Sequence, residues 1–91
     1  MHAACFTVVF RVYGAQSLKD KRMVVRSLKE RCKTKFNVSV VECGDLDKWQ
    51  SGGLAFAIAA ISSAAADTVM QKVIDYLDSD PRIEVIDIER Y

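Results

Sequence analysis

Leu54-Ala55-Phe56-Ala57-Ile58-Ala59-Ala60-Ile61 carries apolar residues at every position. Alanine favours helix, so the run has two readings. The alternation of large and small side chains, with Gly52-Gly53 just before it, favours a strand from about Trp49 to Ile61. A strand apolar on both faces belongs in the middle of a sheet.

Outward toward the N-terminus, Gly44-Asp45-Leu46-Asp47-Lys48 reads as a turn, and Phe36-Asn37-Val38-Ser39-Val40-Val41-Glu42 as the strand that pairs across it. Before that strand comes a helix to about Lys35. Ser17 is its N-cap, and Ser17-Leu18-Lys19-Asp20 follows the capping-box pattern with Asp in place of Glu. At 100° per residue Leu18, Val25, Leu28 and Cys32 share one side, with Val24 at its edge. Residues 3–13 alternate Phe6, Val8, Phe10 and Val12 with Cys5, Thr7, Val9, Arg11 and Tyr13, the period of a strand.

Toward the C-terminus, Ser62-Ser63 offers caps for a helix from about Ala64 to Asp78. Ala66, Val69, Val73 and Leu77 form its core side, and Asp80-Pro81 ends it. Residues 82–90 make a last strand. Glu84, Asp87 and Glu89 give that strand the charge of a sheet edge.

The order is β-α-β-β-α-β in a chain of 91 residues, with no linker or repeat, so residues 1–91 are read as one domain. Right-handed crossovers place both helices on the same face. The expected fold is therefore α+β: a ferredoxin-like two-layer sandwich, with two helices on one face of an antiparallel four-stranded sheet. The other face of the sheet has no helix over it.

The charge is segregated. The whole chain is +1, yet residues 1–35 carry nine basic and two acidic residues, a net +7, and residues 36–91 a net −6. Most of the excess lies on the first helix. Lys19, Arg22, Arg26, Lys29 and Lys33 recur at spacings of three and four and form a continuous row. Lys21 projects near the apolar side and is expected to snorkel. A charged helix face is often only solvated. A row of five like charges exceeds what solubility needs and points to an anionic partner, with Lys and Arg displacing counterions from RNA phosphates. Lys19, Lys21 and Arg22 also crowd the positive end of the helix dipole, where an anion between them would relieve the repulsion.

Other sites are weaker. Trp49 and Gln50 fall in the second hairpin, where tryptophan either covers the end of the core or stacks on a base or partner. With Phe6, Phe10 and Phe56 inward, the open face holds Thr7, Val9, Arg11, Tyr13, Val41, Ala55, Ala57 and Ala59. That surface suits a sheet-to-sheet homodimer or a small ligand better than base stacking.

The chain offers little for catalysis or metal binding. Cys5, Cys32 and Cys43 are widely spaced and His2 is the single histidine, too few ligands for zinc. No Ser-His-Asp set or paired-carboxylate motif stands out. Tyr13-Gly14-Ala15-Gln16-Ser17 lacks the arginine-bearing phosphate loop that enzymes of this architecture place after the first strand. The expectation is a protein that is not an enzyme and takes no cofactor. Thr7 and Arg11 interrupt the N-terminal apolar run, and no stretch reaches membrane-spanning length, so a cytoplasmic protein with no membrane partner is expected.

Ser17-Leu18-Lys19-Asp20-Lys21-Arg22-Met23-Val24 resembles the SLK-x-KR-x-V stretch of the YlxP-like family, a bacterial family of unknown function. Phe36 to Glu42 and Asp47-Lys48-Trp49-Gln50 are similar to its two other signature stretches. The resemblance implies a ferredoxin-like fold. Genes of that family often lie among translation and ribosome-maturation genes, which implies RNA or a ribosomal subunit as partner. It supplies no catalytic residue.

Overall fold

In the computed structural model, which describes residues 1–44 and 48–91, the segment around Phe56 is a strand. The elements are β1 (His2–Val12), α1 (Leu18–Lys35), β2 (Ser39–Cys43), β3 (Ser51–Ala60), α2 (Ser63–Asp78) and β4 (Ile83–Arg90). The sheet order is β2-β3-β1-β4 and every pairing is antiparallel. This is the ferredoxin-like α+β sandwich. β3 lies inside the sheet, paired from His2↔Ala60 to Arg11↔Ser51 on one side and with β2 on the other. Its large side chains, Leu54, Phe56 and Ile58, face the helices, while Ala55, Ala57 and Ala59 lie on the face without helices.

The strand alternation decides which face meets the helices. Phe6, Val8, Phe10 and Val12 of β1 are buried, as are Leu54, Phe56 and Ile58 of β3. The Phe6 and Phe56 rings stack with centroids 4.9 Å apart. α1 packs over β2 and β3 through Val25, Leu28 and Cys32, and α2 over β1, β3 and β4 through Ala66, Val73 and Leu77. Leu18 and Val69, read as core positions, are half-buried.

Several boundaries differ from the sequence reading for local reasons. Phe36 is the C-cap of α1, donating its N–H to the Cys32 carbonyl at 2.9 Å, and its ring meets Tyr76 of α2 edge-on at 5.7 Å. Those two roles delay β2 to Ser39. Trp49 and Gln50 form a turn, so β3 starts at Ser51. The turn expected at residues 44–48 falls mostly on residues 45–47, outside the described residues.

At the start of α1, Ser17 Oγ accepts the Asp20 N–H at 3.1 Å. The Asp20 carboxylate accepts the N–H of Gln16 rather than that of Ser17, one residue earlier than in a closed capping box. β4 contains an irregularity. Its register on β1 shifts between Val9 and Phe10, pairing Val9 with Asp87 and Phe10 with Val85 and leaving Ile86 without a partner. Such a bulge redirects side chains, and Ile86 joins Arg11 and Ser51 on the open side of the sheet. None of the described helices is long and apolar enough to cross a membrane.

A basic helix face and the groove beneath it

α1 places its cations on two sides. Lys19, Arg22, Arg26 and Lys33 are exposed and Lys29 is half-buried. At 1.5 Å per residue, the row from Lys19 to Lys33 is about 21 Å long. The ion pairs between described residues are Arg11–Glu84, Arg82–Asp80 and Arg90–Asp67, and none engages this row. Arg22 and Arg26 stand one helical turn apart. With Lys19, Met23, Ser27 and Glu30 they line a shallow outer depression of about 480 Å³.

Lys21 departs from the row. It is 5% exposed, the one buried charged residue among those described, and its Nζ donates to the Lys48 carbonyl at 2.6 Å. It does not snorkel to water as expected: its position beside Val25 and Leu28 turns the side chain inward, and the ammonium finds a backbone carbonyl instead. The expected cup of Lys19, Lys21 and Arg22 round the helix start therefore does not form. Ser17 and Asp20 also take up backbone N–H groups there.

A second depression lies between α1 and the edge of the sheet, about 360 Å³ in volume. Lys21, Arg22, Val25 and Arg26 line it from the helix, and Glu42, Cys43, Gly52 and Gly53 from β2 and β3. Glu42 pairs with Leu54, whose side chain is buried under the helices, so Glu42 rises on the helix side of the edge strand. Gly52 lets the Phe10 ring and Val25 pack close against the strand at the floor of the groove. A Cβ there would lie 3.0 Å from the Phe10 ring and 3.1 Å from Val25. Arg22 and Arg26 thus border both depressions. In the sequence Glu42 reads as a solvated hairpin carboxylate and Gly52 as a strand residue, since only the β2–β3 register brings them beside α1.

These residues lie within the part of the chain, residues 4–90, that matches the model of a family described as "Protein of unknown function (DUF503)". The chain belongs to the DUF503 family. It is also similar to the "Uncharacterized protein YlxP" of Bacillus subtilis (strain 168), with 44% identity over 75 residues, 80% of this chain and 79% of that protein. The YlxP-like resemblance carried by Ser17–Val24 is therefore sound.

In this DUF503 chain Trp49 and Gln50 lie away from the basic row. With Arg11, Lys48, Ser51 and Ile86 they border a shallow depression at one end of the open sheet face. Trp49 is 48% exposed and takes no part in the core, unlike an end-cap residue. Gln50 has a structural task, its carbonyl accepting the Val12 N–H at 2.8 Å. Farther along the same face, Cys5, Thr7, Val41, Ala55, Ala57 and Tyr91 border a nearly wholly apolar depression of about 270 Å³. Glu84, Asp87 and Glu89 follow one edge of this face, where Glu84 pairs with Arg11.

All three cysteines are free. Cys32 is fully buried, and burial pushes its thiol up to about 11. Burial also raises the Cys43 thiol. A raised thiol is a poor nucleophile or metal ligand at neutral pH.

Proposed function

We propose that this DUF503 protein is a non-catalytic accessory protein that binds RNA, free or in a ribosomal subunit, through the exposed face of α1. The observation that carries the reading is the row Lys19, Arg22, Arg26, Lys29 and Lys33, which no acidic residue of the described fold pairs. Like charges held in line repel one another, and a polyanion relieves that repulsion while releasing its own counterions. The open sheet face, where RNA-recognition modules stack bases, here carries Glu84, Asp87 and Glu89 and would repel phosphates. The helix side is the electrostatically consistent RNA surface.

The test is co-sedimentation with ribosomal subunits and ribosomal RNA, followed by a salt titration of RNA binding. Each neutralised phosphate contributes about −0.7 to the slope of log K against log salt for a single strand, so five contacts predict a slope of roughly −3 to −4. Arg22→Glu/Arg26→Glu should weaken binding and flatten the slope by more than about 1. Unchanged affinity in that variant would remove α1 as the contact.

A second reading concerns the open face, and it is compatible with the first. Val41 and Tyr91 are 61% and 71% exposed around an apolar depression, and Ile86 is 53% exposed beside the depression at one end of the same face. The occupant proposed is a second copy of the chain. Four strands about 4.8 Å apart and about 30 Å long offer roughly 600 Å² per partner, the lower end of stable interfaces. A dimer packed this way leaves both α1 rows outside. Sedimentation equilibrium should then show a dimer that Val41→Asp dissociates. A wild-type monomer at all accessible concentrations would dismiss this reading, leaving a small ligand as the occupant to test.

A further inference from the structure

The groove between α1 and the sheet edge has a composition that the basic row does not explain. Among the described residues its walls combine cations with one carboxylate, Glu42, and with Val25 and the backbone of Gly52. None of the ion pairs among the described residues engages Glu42. A site built only for phosphate would have no use for a carboxylate facing it. A volume of about 360 Å³ is at the small end of ligand sites, which run from roughly 300 to 1,000 Å³. Such a space takes one planar heterocycle rather than a folded partner.

Arg22 and Arg26 connect this groove to the outer face, because both line the two depressions. A strand of RNA following the row would bring its phosphates onto these two guanidinium groups. A nucleotide turning inward there would carry its base over Val25 toward Glu42.

The chemistry of Glu42 selects among bases. An ionised carboxylate is an acceptor only and can take two parallel hydrogen bonds. Guanine presents two adjacent donors, N1–H and the N2 amino group, on its Watson–Crick edge. Adenine and cytosine each present one amino group beside a ring acceptor that a carboxylate repels. Uracil presents one N–H between two carbonyls.

We propose that the groove between α1 and β2–β3 holds one unstacked base of the bound RNA, guanine by preference, with Glu42 on its Watson–Crick edge and Arg22 and Arg26 on the flanking phosphates. This rests on the RNA reading given above and adds base selectivity to it.

The experiment uses the full chain and four labelled single-stranded RNA octamers, oligouridine with G, A, C or U at the centre. Affinities are read by fluorescence anisotropy at low salt. The wild type should bind the G octamer about tenfold more tightly than the other three, the range expected for one bidentate base contact. In Glu42→Gln the preference should fall to about twofold or less, with binding of the all-U octamer changed by less than about threefold. Glu42 is exposed, and a thermal melt of the variant confirms that it folds. Equal affinity of the wild type for all four octamers, with binding still lost in Arg22→Glu/Arg26→Glu, would overturn the base pocket and leave the RNA reading intact. A guanine preference that survives Glu42→Gln, or a preference for another base, would equally overturn it. Failure of the wild type to bind any octamer, ribosomal RNA or subunit would overturn both.

Discussion

The ammonium of Lys21 reaches from the first turn of α1 to the backbone carbonyl of Lys48 at 2.6 Å. The contact ties the start of the helix to the connection between β2 and β3. A hydrogen bond from a charged donor contributes about 1.5–3 kcal/mol when partly buried. Lys21→Met keeps the aliphatic stem and removes the ammonium, so urea unfolding should show a loss of about 2 kcal/mol. Arg22→Met, at an exposed position next in sequence, should change stability by less than about 0.5 kcal/mol. Equal effects at the two positions would mean that the Lys21 contact adds nothing to stability.

Among the described residues Asp80 is an acid-sensitive point of the fold. Its Oδ1 accepts the Arg82 backbone N–H at 2.9 Å and Nε at 3.0 Å, and its Oδ2 pairs with a terminal guanidinium nitrogen at 2.8 Å. The hydrogen bond from Arg82 holds the carboxyl below the usual carboxylate range. A depressed folded value favours the native state only where the unfolded carboxyl is ionised. The contribution is therefore complete above the ordinary aspartate value near about 3.9 and is lost as pH falls through the lower folded value. Asp80→Asn should cost about 1 kcal/mol at neutral pH and reduce the decline in stability below about pH 4. Parallel stability–pH curves for the two proteins would contradict this.

Much of this architecture was legible because burial enforces simple periods. Phe6, Val8 and Phe10 could not face solvent without turning Arg11 into the core, which fixed the parity of β1. The 100° rule placed Lys19, Arg22, Arg26, Lys29 and Lys33 in a row and put Lys21 on the inward side. What escaped depends on partners distant in sequence. Phe36 looks like a strand residue, and only Tyr76 of α2 accounts for its place as a cap. Trp49 carries no periodic signal, being in a turn. Glu42 and Gly52 meet α1 only through strand register.

The cysteines should separate cleanly by reactivity. Cys5 is exposed on the open face, Cys43 is half-buried, and Cys32 is fully buried with its thiol raised to about 11. At pH 8, a disulfide-exchange reagent should label Cys5 within the mixing phase and Cys43 more slowly, since burial raises its thiol as well. Cys32 should react only as fast as the core opens, and its rate should follow urea concentration. Peptide mapping of timed samples gives the order. Early labelling of Cys32 would mean that α1 opens locally.

Ile86 is the residue of β4 that the sheet can spare. Because the register shifts between Val9↔Asp87 and Phe10↔Val85, Ile86 has no cross-strand partner. Removing it joins Val85 directly to Asp87, which already alternate correctly, Val85 toward the helices and Asp87 toward the open face. The deletion should therefore close the ladder without turning any other side chain over. Deleting Ala55 from β3 would put Leu54 next to Phe56, both now buried, and force one of them to the open face. Unfolding in urea should find the Ile86 deletion within about 1 kcal/mol of wild type. The Ala55 deletion should lose about 3–5 kcal/mol, the cost of turning out one large core side chain, a large part of the stability of a small domain. Unfolding of the Ile86 deletion would show that the bulge holds β4 in register, and that its place in the sheet is not dispensable.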